Sequence, residues 1–180
     1  MNNEDLLKQL ESLETSGLAE TAERLLPPLL EIDDPEEAAT EVAQLAGLPP
    51  EAVAEIEALA QETGRSSLSE LKGLLRMVLT DLADTQPDGE ASVFNAAAAA
   101  GRKLIVVGPE LYGICTLLIA GYIVTRSGGK QSMTRDIEIS TGPDGRTKTK
   151  IREQVIYLNP FGPLAKLLKR VTGVAESSDD

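Results

Sequence analysis

Apolar residues recur along the first 85 positions at three- and four-residue intervals, and each run closes on a glycine or a proline. This is the pattern of short amphipathic helices packed side by side. Leu6, Leu10 and Leu13 form the first run, ending at Gly17, and Leu18, Ala22, Leu25 and Leu26 the second, ending at Pro27-Pro28. Asp34 is placed as an N-cap, with Pro35 at the first helical position, Glu37 at the third and Gly47 as the C-terminal cap. Val53, Ile56, Leu59 and Ala60 follow Pro49-Pro50 and stop at Gly64. Ser67-Leu68-Ser69-Glu70 reads as a capping box ahead of a stripe of Leu68, Leu71, Leu75, Val78, Leu79 and Leu82. Such faces hide only against one another, so an all-α helical bundle is predicted over residues 1–84. The Leu-Pro-Pro elements at 26–28 and 48–50 mark helix boundaries, since two copies do not make a solenoid.

The pattern changes at residues 85–91, a polar, turn-rich stretch that reads as a linker to a second module over residues 92–173. That module opens with the helix-forming run 96–100 and continues into residues 104–125, the most hydrophobic window of the chain. Gly108-Pro109-Glu110 breaks the window and starts a new helix, with proline at the first position and the carboxylate near the positive end of the dipole. The uninterrupted part, 111–124, spans roughly 21 Å as a helix, short of the roughly 30 Å of a hydrocarbon core. Arg102 and Lys103 precede the window and Arg126 and Lys130 follow it, so charge gives no membrane orientation. A buried or oligomer-forming helix is expected, with membrane insertion as the alternative. The contact residues would be Leu111, Gly113, Ile114, Thr116, Leu117, Leu118, Ala120, Tyr122 and Ile123, with small side chains at Gly113, Thr116 and Ala120 allowing close approach. Cys115 reads as a small hydrophobe.

Beyond this helix, Gly142-Pro143-Asp144-Gly145 specifies a hairpin turn. Pairing residue 142 with 146 sets Glu138 against Lys150, Asp136 against Arg152 and Ser140 against Lys148 on one face. The other face then carries Ile137 against Ile151 and Ile139 against Thr149. Further out, Met133 would meet Val155 and Arg135 would meet Glu153. A shift of one residue would set Ile139 against Lys148 and Ile137 against Lys150, so this register is preferred. A two-stranded ribbon needs an apolar support, and the 111–124 helix is the nearest candidate. A short amphipathic helix follows residues 159–163, with Leu164, Leu167, Leu168 and Val171 on one side and Lys166, Lys169 and Arg170 on the other. It reads as a closing helix packed on the hairpin, or as a basic contact with anionic lipid. Residues 174–180 form an acidic tail. The fold class is therefore α+β.

Charge sharpens the division. Residues 1–90 hold 21 acidic and 5 basic side chains, and residues 91–180 hold 8 and 12, within a net charge of −12. An acidic half repels phosphate backbones and attracts basic proteins. Lys148, Lys150 and Arg152 face acids across the strands and lack interleaved aromatics, which also argues against nucleic acid. The chain has no His and one Cys, so the usual zinc sites, disulfides and His-dependent nucleophiles are excluded. A lone thiol and a start without a basic n-region fit an intracellular, cytoplasmic location rather than secretion, with membrane association as the alternative. Asp84 to Gly89 lacks the ligands of a calcium loop, and 129–132 lacks the spacing of a phosphate loop. No cofactor is expected. A carboxylate-only hydrolase would draw on Glu110 with Asp136 or Glu138, but no spacing singles these out.

The run from the apolar helix through Arg126-Ser127-Gly128-Gly129 to Gly142-Pro143-Asp144-Gly145-Arg146 resembles the small effector-associated constant components of bacterial conflict systems. It covers under half the chain, and the acidic helical half departs from that pattern. The resemblance implies an accessory or adaptor that links a sensor or effector to a membrane or assembly. The expected protein is a non-enzymatic adaptor. Its acidic module would recruit a basic protein partner, and its apolar helix and hairpin would mediate homo-oligomerisation or contact with an anionic membrane; a single-pass or pore-forming membrane protein is the competing expectation.

Overall fold

The computed structural model describes residues 3–102, 108–126, 137–141, 143, 146–151 and 154–173. These form α1 (Asn3–Ser12), α2 (Thr15–Leu30), α3 (Ala38–Leu45), α4 (Ala52–Ser66), α5 (Leu68–Thr85), α6 (Gly89–Gly101) and α7 (Pro109–Arg126). They continue with β1 (Ile137–Thr141), β2 (Thr147–Ile151), β3 (Gln154–Leu158) and α8 (Pro163–Thr172). The class is α+β, mostly helical.

Several helix ends follow from local chemistry. The Asp34 carboxylate accepts the Glu36 N–H at 3.0 Å, with Pro35 at the first position of a 3-10 turn that runs into α3. Gly47 takes the left-handed conformation (φ 67°), and the Leu48 N–H reaches back to Ala43 O at 2.8 Å. Two expected signals behave differently. α2 passes through Pro27-Pro28 and ends a turn later, where Glu31 is left-handed and the Ile32 N–H reaches Pro27 O at 3.0 Å. Burial of Leu26, Leu30 and Ile32 outweighs the amide bonds that the prolines forfeit. Ser67 makes no side-chain cap bond. It joins α4 to α5 through its backbone, donating to Thr63 O and accepting from the Leu71 N–H.

The stretch anticipated as a linker is a tight helix connection. α5 runs to Thr85, α6 starts at Gly89, and Asp88 between them is left-handed (φ 54°). A Cβ on Gly89 would lie 2.5 Å from Leu82 O and 2.8 Å from Ala83 O, so only glycine fits where the chain doubles back. α6 packs on α1, α2 and α5, and α7 packs on α2, α3, α4, α5 and α8. One continuous apolar cluster runs from Leu6 to Val171. The two modules anticipated from charge thus share a core, because the charge asymmetry lies on the surface while the Leu, Ala and Val faces of both halves meet inside.

α7 sits at the centre of that core. Glycines on both sides of its contacts allow close packing: a Cβ on Gly64 of α4 would lie 2.8 Å from Pro109 O, and one on Gly121 of α7 would lie 3.2 Å from a Leu30 methyl and 3.1 Å from a Val42 methyl.

The hairpin register is the one expected, with Ile137 opposite Ile151, Glu138 opposite Lys150, Ile139 opposite Thr149 and Ser140 opposite Lys148. Thr147, Thr149 and Ile151 are buried and Lys148 is exposed, in the alternation of a half-covered sheet. The second strand is shorter than expected. It stops at Ile151, and residues 154–158 return as β3, which sets Val155 opposite Lys150 rather than Met133. Met133, Arg135, Asp136, Arg152 and Glu153 lie outside the described residues, as do Gly142, Asp144, Gly145 and the tail 174–180. The sheet rests on α5 instead of on α7, with the Ile156 Cδ1 methyl close to Gly73, where an added Cβ would lie 3.0 Å from it. α8 packs on α4 and α7 rather than on the hairpin as its main support.

Candidate functional site

The residues anticipated as an oligomer or membrane contact are placed inside the chain. Gly113, Thr116, Leu117, Leu118, Ala120, Tyr122 and Ile123 are buried, and Leu111 and Ile114 are half-buried against the same core. Leu117, Leu118, Ile119, Ile123 and Val124 alone would cost on the order of 10 kcal/mol to expose, at about 2 kcal/mol per side chain, which matches the whole stability of an ordinary domain. The face of α7 is therefore not free for a second copy or for lipid in this fold. Among the described residues no helix is long and apolar enough to cross a membrane. α8 likewise buries Leu164, Leu167, Leu168 and Val171 in protein. Of its cations, Lys166 is exposed, Lys169 is half-buried, and the Arg170 Nε donates to a Glu55 carboxylate oxygen at 3.2 Å.

Among the described residues, polar chemistry gathers at three other places. The first is internal. The Tyr122 hydroxyl donates to Asp81 Oδ2 at 2.6 Å, and Arg126 Nε donates to the same oxygen at 2.9 Å. Tyr122 and Arg126 are one helical turn apart on α7, so both reach a carboxylate that α5 holds with no solvent exposure of its side chain. Burial, and then the bond to Asp81, push the Tyr122 phenol well above its usual range. Cys115 is also internal: its thiol donates to Ala19 O at 3.2 Å, and burial, with the nearby Glu23 charge adding, raises its pKa. A buried thiol held protonated is a poor nucleophile.

The second is a groove of about 350 Å³ between the 3-10 turn, α3, α4 and the start of α7. Ala39, Ala60, Gly113, Ile114 and Leu117 form its floor, and exposed Glu36, Glu57 and Glu110 stand around it. Pro109 starts α7 beside Gly64, which places Glu110 in the lining of the groove that Glu36 and Glu57 also line.

The third is a corner on the opposite charge side. Arg146, Tyr157, Leu158, Asn159 and Pro160 line a cleft of about 290 Å³, with Lys148 directly across from Tyr157 in the β2–β3 ladder. Tyr157 is 67% exposed and Phe161 83%.

The chain matches no protein-family model, no curated protein and no solved structure.

Sequence reasoning singled out Glu110, as a helix-start carboxylate, but not its neighbours in the groove. Glu36, Glu57 and Glu110 come from three separate elements, and no spacing connects them. The Asp81 cluster did leave a trace, in a carboxylate set among the buried positions Met77, Val78, Leu79 and Leu82, and in the four-residue spacing of Tyr122 and Arg126.

Proposed function

We propose that the chain is a non-enzymatic interaction protein whose groove between α3, α4 and α7 receives a basic, amphipathic segment of a protein partner. The observation that carries this reading is the combination of an apolar floor, at Ala39, Ala60, Ile114 and Leu117, with three carboxylates around it. A Lys or Arg side chain suits such a site, since its stem covers apolar surface while its head stays with the acids and water. Each exposed ion pair contributes only about 0–1 kcal/mol, and of the floor only Ile114 is half-buried while Ala39, Ala60 and Leu117 are already covered, so the apolar gain is small and the carboxylates set the orientation and sign of a modest-affinity contact. An acidic partner is rejected by the same rim.

The test is a titration of the full chain with a labelled Leu/Lys helical peptide and its Leu/Glu counterpart, read by fluorescence anisotropy. The Leu/Lys peptide is expected to bind, and Glu57→Lys with Glu110→Lys to weaken it by about tenfold or more. Equal binding of both peptides, or no effect of the paired charge reversal, overturns the proposal.

A further inference from the structure

We infer that the occupant of this groove is a second copy of the chain, which presents the corner around Phe161, so that molecules join head to tail; this rests on the groove reading above. Phe161 is the most exposed large apolar side chain among the described residues, at 83%, and Tyr157 follows at 67%; Leu7, Leu29 and Leu45 reach only 37–42%. An aromatic left in water on a rigid support is the usual anchor of an interface. Phe161 has that support. Its N–H donates to Asn159 Oδ1 at 3.0 Å, the Gly162 N–H donates to Asn159 O at 2.9 Å, and Pro160 and Pro163 fix the backbone on either side. The backbone here has little freedom left to lose on docking, and the ordering cost falls on the two side-chain torsions of Phe161.

Charge identifies the partner. Arg146 lines one cleft with Tyr157, Leu158, Asn159 and Pro160, the residue before Phe161, Lys148 lies directly across from Tyr157, and α8, which begins two residues after Phe161, carries the exposed Lys166. The groove offers the counterpart, an apolar floor with Glu36, Glu57 and Glu110. The two sets share no residue, so one molecule can use both at once. Such a contact is heterologous, and it builds a ring if the rotation closes or a filament if it does not. The net charge of −12 opposes approach at long range. At physiological ionic strength the Debye length is about 8 Å, so that repulsion is largely screened while pairs in contact persist.

The experiment uses the full chain and two surface variants, Phe161→Ala and the pair Glu57→Lys with Glu110→Lys, each first shown by circular dichroism to keep its helices. Sedimentation velocity over a concentration series at physiological salt is expected to show the wild type associating beyond a dimer and each variant alone remaining monomeric. An equimolar mixture of the two variants is expected to form a 1:1 dimer and nothing larger, because one supplies the only intact groove and the other the only intact corner. A monomeric wild type, a wild-type oligomer that persists in both variants, or a mixture that stays monomeric overturns the head-to-tail contact. The peptide titration separates the two readings. If Leu/Lys peptide binds the wild type and the wild type never associates, the groove serves a foreign basic partner and the self-docking is wrong. If neither occurs, the groove reading has failed as well.

Discussion

Tyr122 donates its phenol hydrogen to Asp81 Oδ2 at 2.6 Å, tying the centre of α7 to α5 across 41 residues of sequence. Arg126 completes the pairing from the solvent side, its side chain 22% exposed against none for Asp81. Removal of a partner from such a cluster costs more than the pair itself contributes, because a buried charge or hydroxyl is left without a match. Asp81→Ala is expected to lower stability by about 3–5 kcal/mol. Tyr122→Phe, which leaves Arg126 on the carboxylate, is expected to lower it by about 1.5–3 kcal/mol. Urea unfolding of the two variants checks this. Losses below about 0.5 kcal/mol for both, the range of an ordinary surface substitution, would show that the cluster does not hold α7 to α5.

The same burial predicts an alkaline limit. Tyr122 and Cys115 are held protonated in the fold, whereas in the unfolded chain they ionise near about 10 and about 8.5. Above those values the unfolded state loses protons that the folded state retains. The contribution of these groups is therefore complete below about pH 8.5 and falls above it, by up to about 1.4 kcal/mol per pH unit for each group. The thiol acts first and the phenol follows. Unfolding free energies measured between pH 7 and 11 should decline less in Cys115→Ala over the lower part of that range and less in Tyr122→Phe over the upper part. Curves parallel to the wild type would remove burial as the cause.

Gly64 poses a contest of signs. It lies inside α4, where replacement by alanine gains about 1 kcal/mol of helix propensity. Yet the new Cβ would lie 2.8 Å from Pro109 O and 3.1 Å from the Tyr112 Cβ, and the first of these is backbone that cannot swing away. Overpacking of this kind costs about 1–3 kcal/mol, and separating α4 from α7 would disturb the groove that lies between them. Gly64→Ala is expected to melt at a lower temperature than the wild type. A higher melting temperature would mean that the two helices are not in this contact.

These contacts show which parts of the fold were legible. The hairpin register could be read because a wrong register sets lysines against isoleucines, and each opposed pair carries that information locally. Asp34-Pro35, Gly47 and Pro109 likewise mark helix ends where the sequence puts them, whereas Gly17 and Pro27-Pro28 lie inside α2. β3 was not legible, since Arg152-Glu153 between Ile151 and Gln154 holds no glycine, proline, asparagine or aspartate to signal a turn, so the run to Leu158 reads as a continuation of β2. The seat of α7 was hidden by its own uniformity: a helix apolar on nearly every side reports that it is covered, and not by what. Charge misled about the boundary because the half-buried carboxylates of α2 and α3 and the exposed ones of α4 say nothing about the inner faces of those helices. The groove is legible only in three dimensions, where the 3-10 turn, α4 and α7 each contribute one carboxylate to its lining.

The shared core makes a prediction that runs against the charge division. α7 lies against α2, α3 and α4, and without it Ala19, Leu30, Val42 and Ala60 lose their cover on one side, with the faces of the helices that carry them. Those are apolar faces of the acidic half, and at about 1.5–3 kcal/mol for each large side chain their exposure exceeds what a small helical fragment holds in reserve. Residues 1–88 expressed alone should therefore keep some helix but unfold without a sharp transition and bind a hydrophobic dye. Supplying residues 89–180 in trans should restore cooperative melting. A fragment 1–88 that melts sharply on its own, with the helix content of the same segment in the full chain, would mean that the acidic helices are an independent unit and that α7 only rests on them.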